Sequence, residues 1–395
     1  MNKKNFNPVL VLGLYIPGID IIKHFTKKKI ECLGVDFRDD AIGYLLRGKK
    51  TIKCPDPEEN ETIFIDFIIS IQKKWKKKAV VFITSDCFIK TILKNENILK
   101  KHFYFNTSKN FITEKLMSKE EMYKVAVNTN IPVPLMISPI TKDELLKEMN
   151  NLSFPCVIKP KYAQSWRKKP LENIVDSKKV VYVKTKNELI NQWEIISKYD
   201  NNIIIQEVVP GPDENLLYFV CYIDKNGTCL GYFCGRKLRI TPIHFGSASF
   251  MKTTDPSPIK DYCLNLLIKN EYYGPAGVEM KKDENDGSYK LIEVNTRIGL
   301  WDIIGKKLEV DIYTIAYNEL IGKEQNSVKP LNKNIYWVSI SRDIPTFLEY
   351  KKEGSLSFIK WIKSYFNKVY YSDIYWNEPS LMYRLYIKRV LKKIF

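Results

Sequence analysis

The sequence lacks the segments that carry a protein into or across a membrane. No apolar run approaches the roughly 20 residues that span a bilayer, and the run at residues 9–16 ends at Pro17-Gly18 without a small-residue cleavage site. We interpret that run as a first β-strand. The eight cysteines form no C-x-x-C pair, so the sequence indicates neither a zinc site nor a disulfide framework. We expect a cytoplasmic protein.

Acidic residues are scarce relative to basic ones. The chain has 63 Lys and Arg against 45 Asp and Glu, which gives a net charge of +18. That excess permits nucleic acid, anionic lipid or a polyanionic small molecule as a partner. A recognised module with interleaved aromatic and basic residues is not found, so we expect no specific nucleic-acid partner. The 395 residues are 45% hydrophobic, which is typical of a globular protein of two or three domains.

The first hundred residues alternate between strand-like and helix-like patterns. Strand-like runs lie at 9–16, 30–37 and 79–86, with amphipathic segments near 18–28 and 62–77 between them. This alternation predicts an α/β domain with a parallel sheet. Gly13 and Gly18 fit neither the G-x-G-x-x-G spacing nor a Walker A loop, so we interpret them as tight turns. The Thr-Ser-Asp run at 84–86 ends a strand, where open α/β sheets usually bind ligands.

The stretch at residues 290–301, KLIEVNTRIGLW, carries the strongest chemical signal. Glu293, Asn295 and Arg297 alternate, so a strand would direct all three toward one face. Carboxylate and amide oxygens suit a hard divalent cation, and a guanidinium suits the phosphates that Mg²⁺ carries. Glu279 lies in another apolar run, and two carboxylates in one space repel unless a cation or proton joins them. A magnesium site is favoured over two separately solvated acids.

Several basic side chains have two possible interpretations from the sequence alone. Lys119 lies in the first turn of a helix that Ser118 caps, where a cation opposes the helix dipole. Either an exposed lysine or an anion held nearby explains it. Lys159 ends a short buried strand, where a lysine is usually solvated. Lys237 and Arg239 follow Gly235 and suggest either an anion site or a solvated strand end.

These segments together resemble the ATP-grasp superfamily. Within that superfamily they resemble the predicted ATP-dependent carboligases, a group to which the D-aspartate ligase-like carboxylate–amine ligases are similar. The resemblance covers nearly the whole chain and implies an ATP-grasp fold, α/β and α+β, with an N-terminal Rossmann-like (pre-ATP-grasp) parallel-sheet domain at 1–112. It implies an ATP-grasp domain at 113–325, a small lid subdomain at about 150–210, and a C-terminal extension at 326–395. The motifs that carry the resemblance, besides the first domain with its TSD, are SKEEMYKVAVNTNIPVP, PCVIKPKYAQSW, IIIQEVVPGPDEN, GYFCGRKLR and GPAGVEMKKDENDGSYKLIEVNTR.

The resemblance also implies the cofactors, ATP and Mg²⁺ with Mn²⁺ as an alternative metal, and a role for each site residue. The implied magnesium ligands are Glu279, Glu293 and Asn295. The implied catalytic cations near the phosphates are Arg297, Lys237 and Arg239. The implied nucleotide contacts are Lys119 and Lys159 at the phosphates, Ser165 and Trp166 in the covering loop, Glu207, Val208 and Val209 at the adenine, and Asp213 or Glu214 at the ribose.

Two departures from the family pattern concern the phosphates. The family usually has Asp-Lys where Ser118-Lys119 stands, and Asp would cap the helix equally well. The phosphate-covering loop is glycine-rich in many relatives, whereas residues 162–170 contain no glycine. The Ser-Trp-Arg run at 165–167 is similar to that of the carboligase-like subgroup.

The implied reaction joins a small-molecule carboxylate to an amine through an acyl phosphate, releasing ADP and phosphate. Two alternatives stay open, a carboligase that activates bicarbonate through carboxyphosphate and a non-catalytic ATP-binding protein. A homodimer also stays open. The segment at 381–395 is amphipathic and basic, so it could lie on an anionic membrane surface, or it packs back on the body, which we favour slightly. Its apolar face would comprise Tyr383, Ile387, Val390, Leu391 and Ile394.

Overall fold

The computed structural model describes residues 6–48, 50–161, 165–167, 170–176 and 180–388. Within these residues the chain forms three sheets. The first is a five-stranded parallel sheet with strand order β3-β2-β1-β4-β5. Its elements are β1 Val9–Leu12, α1 Ile16–Lys27, β2 Cys32–Asp36, β3 Lys50–Lys53, α2 Glu61–Trp75, β4 Ala79–Ile83, α3 Asp86–Lys94, α4 Glu96–Leu99 and β5 Phe103–Tyr104.

The first sheet is covered on both faces, which explains why its strands are continuously apolar. Val9 and Val11 belong to one core cluster, whereas Leu10 and Leu12 belong to another. This arrangement follows from the two-residue period of a strand. The predicted parallel sheet is confirmed. Gly13 has a φ of +104°, as a tight turn after β1 requires.

A small antiparallel sheet with strand order β6-β9-β7-β8 follows. It begins at Met136, and the lid bounds of about 150–210 stay a prediction. One face packs against helices around Leu145, Leu189 and Trp193. The elements of this part are α5 Ile112–Met117, α6 Lys119–Asn128, β6 Met136–Ile137, α7 Lys142–Glu148, β7 Cys156–Pro160, α8 Leu171–Ile174, β8 Val181–Val183, α9 Lys186–Ile196 and β9 Ile203–Glu207.

The third sheet is the largest, with strand order β14-β13-β10-β11-β12-β15-β16. In β10, Leu217 and Phe219 face one core cluster, whereas Tyr218 and Val220 face the cluster that also contains Val9. The first sheet and the large sheet therefore share a core. The elements are β10 Leu216–Ile223, β11 Cys229–Thr241, β12 Ser247–Thr254, α10 Ser257–Lys269, β13 Gly274–Lys282, β14 Tyr289–Asn295, α11 Ile312–Leu320, β15 Tyr336–Val338, α12 Ile340–Glu353, α13 Phe358–Ser364, β16 Val369–Tyr371 and α14 Pro379–Tyr383.

The last described segment, residues 326–388, is built into the body. Its strands β15 and β16 extend the large sheet beyond β12. A π-helical segment, Arg384–Lys388, continues α14. Leu381 and Leu385 are buried in the shared core, while Tyr383 is 62% exposed. The described part of this amphipathic segment therefore packs on the body, and Tyr383 does not lie on its buried face. The side chains of Ile387, Val390, Leu391 and Ile394 lie outside the described residues.

No described helix is both long enough and apolar enough to cross a membrane.

Candidate active site

Two neighbouring strands of the large sheet form a polar wall. Glu279 on β13 lies opposite Glu293 on β14, and Gly277 lies opposite Asn295. The register shifts by one residue directly after Glu279, where the strand pair has a bulge. Antiparallel partners share a face, so the structure brings Glu279, Glu293 and Asn295 together. We call these three residues the acid wall.

Each carboxylate of the acid wall has a lysine beside it. Lys237 on β11 places its Nζ 2.6 Å from Oε1 of Glu279, and this lysine is buried. Lys119, at the start of α6, places its Nζ 3.8 Å from Oε1 of Glu293. The Glu293 side chain is 44% exposed, so this second pair is more open to solvent. A cation bound at the wall would compete with both lysines for the same oxygens.

Lys159 on β7 is a third cation, and it is buried. Its Nζ donates to the side-chain oxygen of Gln206 on the neighbouring strand β9. The pKa of Lys159 is lowered to about 7, mainly because the side chain is buried and secondly because of the positive charge of Lys119. The negative charge of Glu293 opposes that shift. A lysine in such surroundings gains stabilisation when an anion comes to share its site.

Arg297 follows β14 and reaches the first domain. Its Nε lies 2.5 Å from Oδ1 of Asp86, which begins α3 directly after β4. Burial disfavours the charge on Arg297, but the Asp86 carboxylate outweighs that effect and raises the pKa of the guanidinium. The end of the first parallel sheet thus holds Arg297 beside the acid wall.

A cavity of about 400 Å³, which we call the cleft, lies between the small sheet and the large sheet. Its walls combine lysines and acids with apolar side chains such as Val157, Leu216 and Ile292. A cavity lined by both apolar and charged side chains suits a ligand that has an apolar part and a phosphorylated part. Of the residues implied by the resemblance, the cleft is lined by Lys119, Lys159, Trp166, Glu207, Val208, Val209, Glu279, Glu293, Asn295 and Arg297.

The strand end at Glu207–Val209 lines the cleft. The Val208 N–H donates to the Pro155 carbonyl at 3.0 Å. The Glu207 carboxylate accepts a hydrogen bond from the Ser153 N–H at 2.6 Å. These bonds fix the segment against the chain just before β7, so it presents a preformed edge to a ligand.

The structure places other implied site residues outside the cleft. Ser165 donates its hydroxyl to Asp200 at 3.1 Å. Asp213 is buried and accepts the Tyr350 hydroxyl at 2.5 Å. Glu214 uses its backbone carbonyl to accept a hydrogen bond from Arg236. The ribose and loop roles implied for these residues stay predictions.

Arg239 also lies outside the cleft, and a β-bulge explains its position. Lys237 pairs with Met251 and Arg239 with Phe250, so β11 has one extra residue between them. The bulge reverses the alternation, and Arg239 therefore faces away from Lys237. Its Nε and Nη2 each lie 2.8 Å from a carboxylate oxygen of the buried Asp343. The catalytic role that the resemblance implies for Arg239 stays a prediction.

Sequence reasoning missed His244, which lines the cleft from the loop between β11 and β12. Its Nδ1 lies 3.1 Å from Asp213 and its Nε2 lies 2.8 Å from Glu353. Burial disfavours the charged ring, but Glu353 and Asp213 outweigh that effect and raise the pKa of His244. No sequence signal marked this residue, because its partners lie 31 and 109 positions away.

The acid wall fits a magnesium ion by the chemistry of its donors. In the described part of the chain, no group of three or more His, Cys, Asp or Glu side chains could hold a metal alone. Two carboxylates and one amide oxygen are instead available at the wall. Mg²⁺ commonly binds through one or two carboxylates, several waters and nucleotide phosphates, rather than in an all-protein cage.

Comparisons with known proteins agree with this architecture. No protein-family model matches the sequence. The sequence is similar to D-aspartate ligase from Enterococcus faecium, with 24% identity over 319 residues, which is 75% of this chain and 73% of the relative.

Solved structures with a similar fold include N5-carboxyaminoimidazole synthetase from Staphylococcus aureus complexed with ADP (TM-score 0.64, 13% identity, 90% of this chain and 88% of that one). L-amino acid ligase from Bacillus licheniformis is another (TM-score 0.60, 16% identity, 81% of this chain and 75% of that one). The chain therefore has the ATP-grasp fold and is similar to carboxylate–amine ligases.

Proposed function

We propose that this chain is an ATP-dependent ligase that joins a carboxylate to an amine and releases ADP and phosphate. The observation that carries the proposal is the pairing of Glu279 with Glu293 at one end of a cleft that Lys119 and Lys159 also line. The similarity to D-aspartate ligase makes an acidic amino acid the first candidate for the carboxylate substrate.

The chemistry follows from a property of carboxylates, which an amine does not attack at neutral pH until one oxygen becomes part of a leaving group. A substrate carboxylate oxygen bonds to the γ-phosphorus of ATP, the bond from that phosphorus to the β,γ-bridging oxygen breaks, and ADP leaves. The amine nitrogen then bonds to the acyl carbon, the carbon–oxygen bond to phosphate breaks, and the nitrogen loses a proton. An amide, ADP and phosphate result.

The residues at the cleft and beside the acid wall can be assigned to these steps. Lys119 and Lys159 would bind the phosphates, and Lys237 and Arg297 would spread the negative charge on the transferred group. The edge at 207–209 would contact the adenine, and Trp166 would belong to the loop that covers the phosphates. Glu279, Glu293 and Asn295 would hold Mg²⁺, which would neutralise phosphate charge, and Mn²⁺ is a candidate for the same ligands.

A hydroxylamine assay tests the proposal without knowledge of the natural amine. Hydroxylamine converts an acyl phosphate into a hydroxamate and free phosphate. We expect the full-length protein with ATP and Mg²⁺ to form ADP and hydroxamate in equal amounts when a suitable amino acid is present. ADP formation that requires bicarbonate instead would favour a carboligase. ATP binding without ADP formation across a panel of amino acids, other carboxylates and bicarbonate would contradict both reactions.

A further inference from the structure

The helix α13, in the last described segment, exposes a group of large apolar side chains. Ile359, Ile362 and Phe366 are spaced at i, i+3 and i+7, so they lie along one side of the helix and of the turn that ends it. They are 66%, 36% and 85% exposed, and Phe358 beside them is 56% exposed. Contiguous apolar patches often mark interaction sites, whereas single exposed apolar residues are ordinary. We call these four residues the apolar stripe.

Another side of α13 is packed on the body of the protein. The Trp361 indole stacks on Phe347 with ring centroids 4.5 Å apart, and its N–H donates to Oδ2 of Asp343 at 2.8 Å. The Tyr365 hydroxyl donates to the same carboxylate oxygen at 2.7 Å. These contacts to α12 fix the orientation of α13 and leave the apolar stripe facing solvent.

Basic side chains accompany the apolar stripe. Residues 354–368 contain three lysines, Lys360, Lys363 and Lys368, and no acidic residue. All three lysines are exposed. The acid that precedes them in the sequence, Glu353, lies 2.8 Å from Nε2 of His244. This part of the surface is therefore both apolar and cationic.

An anionic membrane surface fits this face better than another protein does. A second copy of the chain would bring lysines against lysines, and each copy has a net charge of +18. A stable protein partner needs a complementary surface of about 800 Å² on each side, whereas the apolar stripe lies on the outer side of one short helix. A bilayer needs no such complementarity, because apolar side chains enter the boundary between headgroups and acyl chains while lysines meet anionic headgroups.

We propose that the apolar stripe and its three lysines bind the protein reversibly to anionic membranes. The contact uses a different part of the chain from the basic segment at 381–395, whose described part packs on the body. It does not depend on the proposed ligase function. The protein would lie on the bilayer surface without crossing it.

Co-sedimentation of the full-length protein with lipid vesicles tests this proposal. One set of vesicles contains phosphatidylcholine alone, and the other contains phosphatidylcholine and phosphatidylglycerol in equal parts. We expect the mixed vesicles to bind the protein about a hundredfold more tightly, since each of three lysines near an anionic surface contributes about fivefold. High salt should weaken this binding, because it screens the lysines from the headgroups.

Two serine substitutions test the apolar contribution. Ile359→Ser combined with Phe366→Ser should weaken binding to the mixed vesicles at least about tenfold, because two large apolar side chains no longer leave water. Ile63→Ser combined with Ile140→Ser is the matched control. These two isoleucines are 60% and 62% exposed and lie in other parts of the chain. Binding of the control variant should equal that of wild type.

Two glutamine substitutions test the charge independently. Lys360→Gln combined with Lys363→Gln should weaken binding to the mixed vesicles about thirtyfold, which is about fivefold for each lysine. Lys73→Gln combined with Lys74→Gln removes the same net charge from the last turn of α2. That control should bind as wild type does, because charges away from the membrane contact are screened by salt.

Thermal melting establishes that each variant is folded, and the glutamine variant carries the test if the serine variant does not fold. Unchanged binding of the folded variants would overturn the proposal, as would equal losses in their controls. Absence of binding by wild type to both sets of vesicles would also overturn it. Light scattering that shows a wild-type dimer, and a monomer for the serine variant, would contradict the proposal in favour of a second copy.

Discussion

The acid wall leads to a specific expectation for Glu293→Gln. The substitution removes one negative charge at the point where Glu293 faces Lys119 and the cleft, and it keeps the size of the side chain. If Glu293 helps to hold the cation that neutralises phosphate charge, turnover should fall about 10²–10³-fold, which corresponds to roughly 2.7–4 kcal/mol of barrier. ATP affinity should fall less, because the adenine edge at 207–209 is unchanged.

The fold should tolerate this substitution. Glu293 is 44% exposed on its side chain and its lysine partner is 3.8 Å away, so the pair contributes at most about 1 kcal/mol to the free energy of unfolding. Glu194→Gln is the matched control. Glu194 lies on α9, and its carboxylate is 41% exposed and 2.6 Å from Lys142. Glu194 lines neither the cleft nor the cavity of about 560 Å³ that shares Glu279 and Asn295 with it.

The assay measures ADP and hydroxamate formation by wild-type, Glu293→Gln and Glu194→Gln protein at saturating ATP, with melting temperatures measured in parallel. We expect only Glu293→Gln to lose turnover, with all three proteins folded. ADP formation by Glu293→Gln at the wild-type rate would refute the assignment of the acid wall.

Three further predictions address charge, anchoring and packing. In the protein without nucleotide, the pKa of Lys159 is lowered to about 7, so this lysine loses its proton as pH rises through that value. ATP affinity should therefore weaken above about pH 7, by up to about tenfold per pH unit. Calorimetric titrations of Lys159→Arg should show a flatter pH profile, and an unaltered slope would contradict this role. Asp343→Ala should lower the free energy of unfolding by about 3–5 kcal/mol, because Arg239 would keep a buried, unpaired charge. Urea denaturation measures this free energy. Replacing both Asp343 and Arg239 by apolar side chains should recover part of the loss. Gly277→Ala should reduce turnover more than it weakens adenine binding, because a Cβ at this position would lie 1.9 Å from the Tyr218 hydroxyl oxygen and displace the wall strand; equal effects on both would contradict this account.

Short-range hydrophobic patterns in the sequence correctly predicted several of the β-strands. The apolar runs at 9–16, 30–37 and 79–86 became β1, β2 and β4, and the parallel sheet and ATP-grasp fold are confirmed. The alternation of Glu293 and Asn295 also gave the correct face. The register that sets Glu279 opposite Glu293 depends on the pairing of two strands, so the sequence could suggest it only through the apolar surroundings of both acids.

Other features depend on contacts between distant residues, and no local pattern encodes them. The bulge that separates Lys237 from Arg239 arises from pairing with β12. The partners of Asp213 come from another loop and from α12. In the last segment, burial of Leu381 and Leu385 rather than Tyr383 reflects where the body offers a surface. The helical pattern alone did not identify that surface.

Two residues of the acid wall, Glu279 and Asn295, line both the cleft and a second cavity of about 560 Å³, and so does Arg297. A single molecule with one arm in each cavity would pass over these three residues. Binding of the first arm would hold the second at a high effective concentration, so affinity could exceed that of either fragment by about 10²–10⁴-fold. This shared lining makes the protein a candidate for inhibition by linked two-part compounds. The linker length that gives the tightest binding would report the distance between the two cavities in solution.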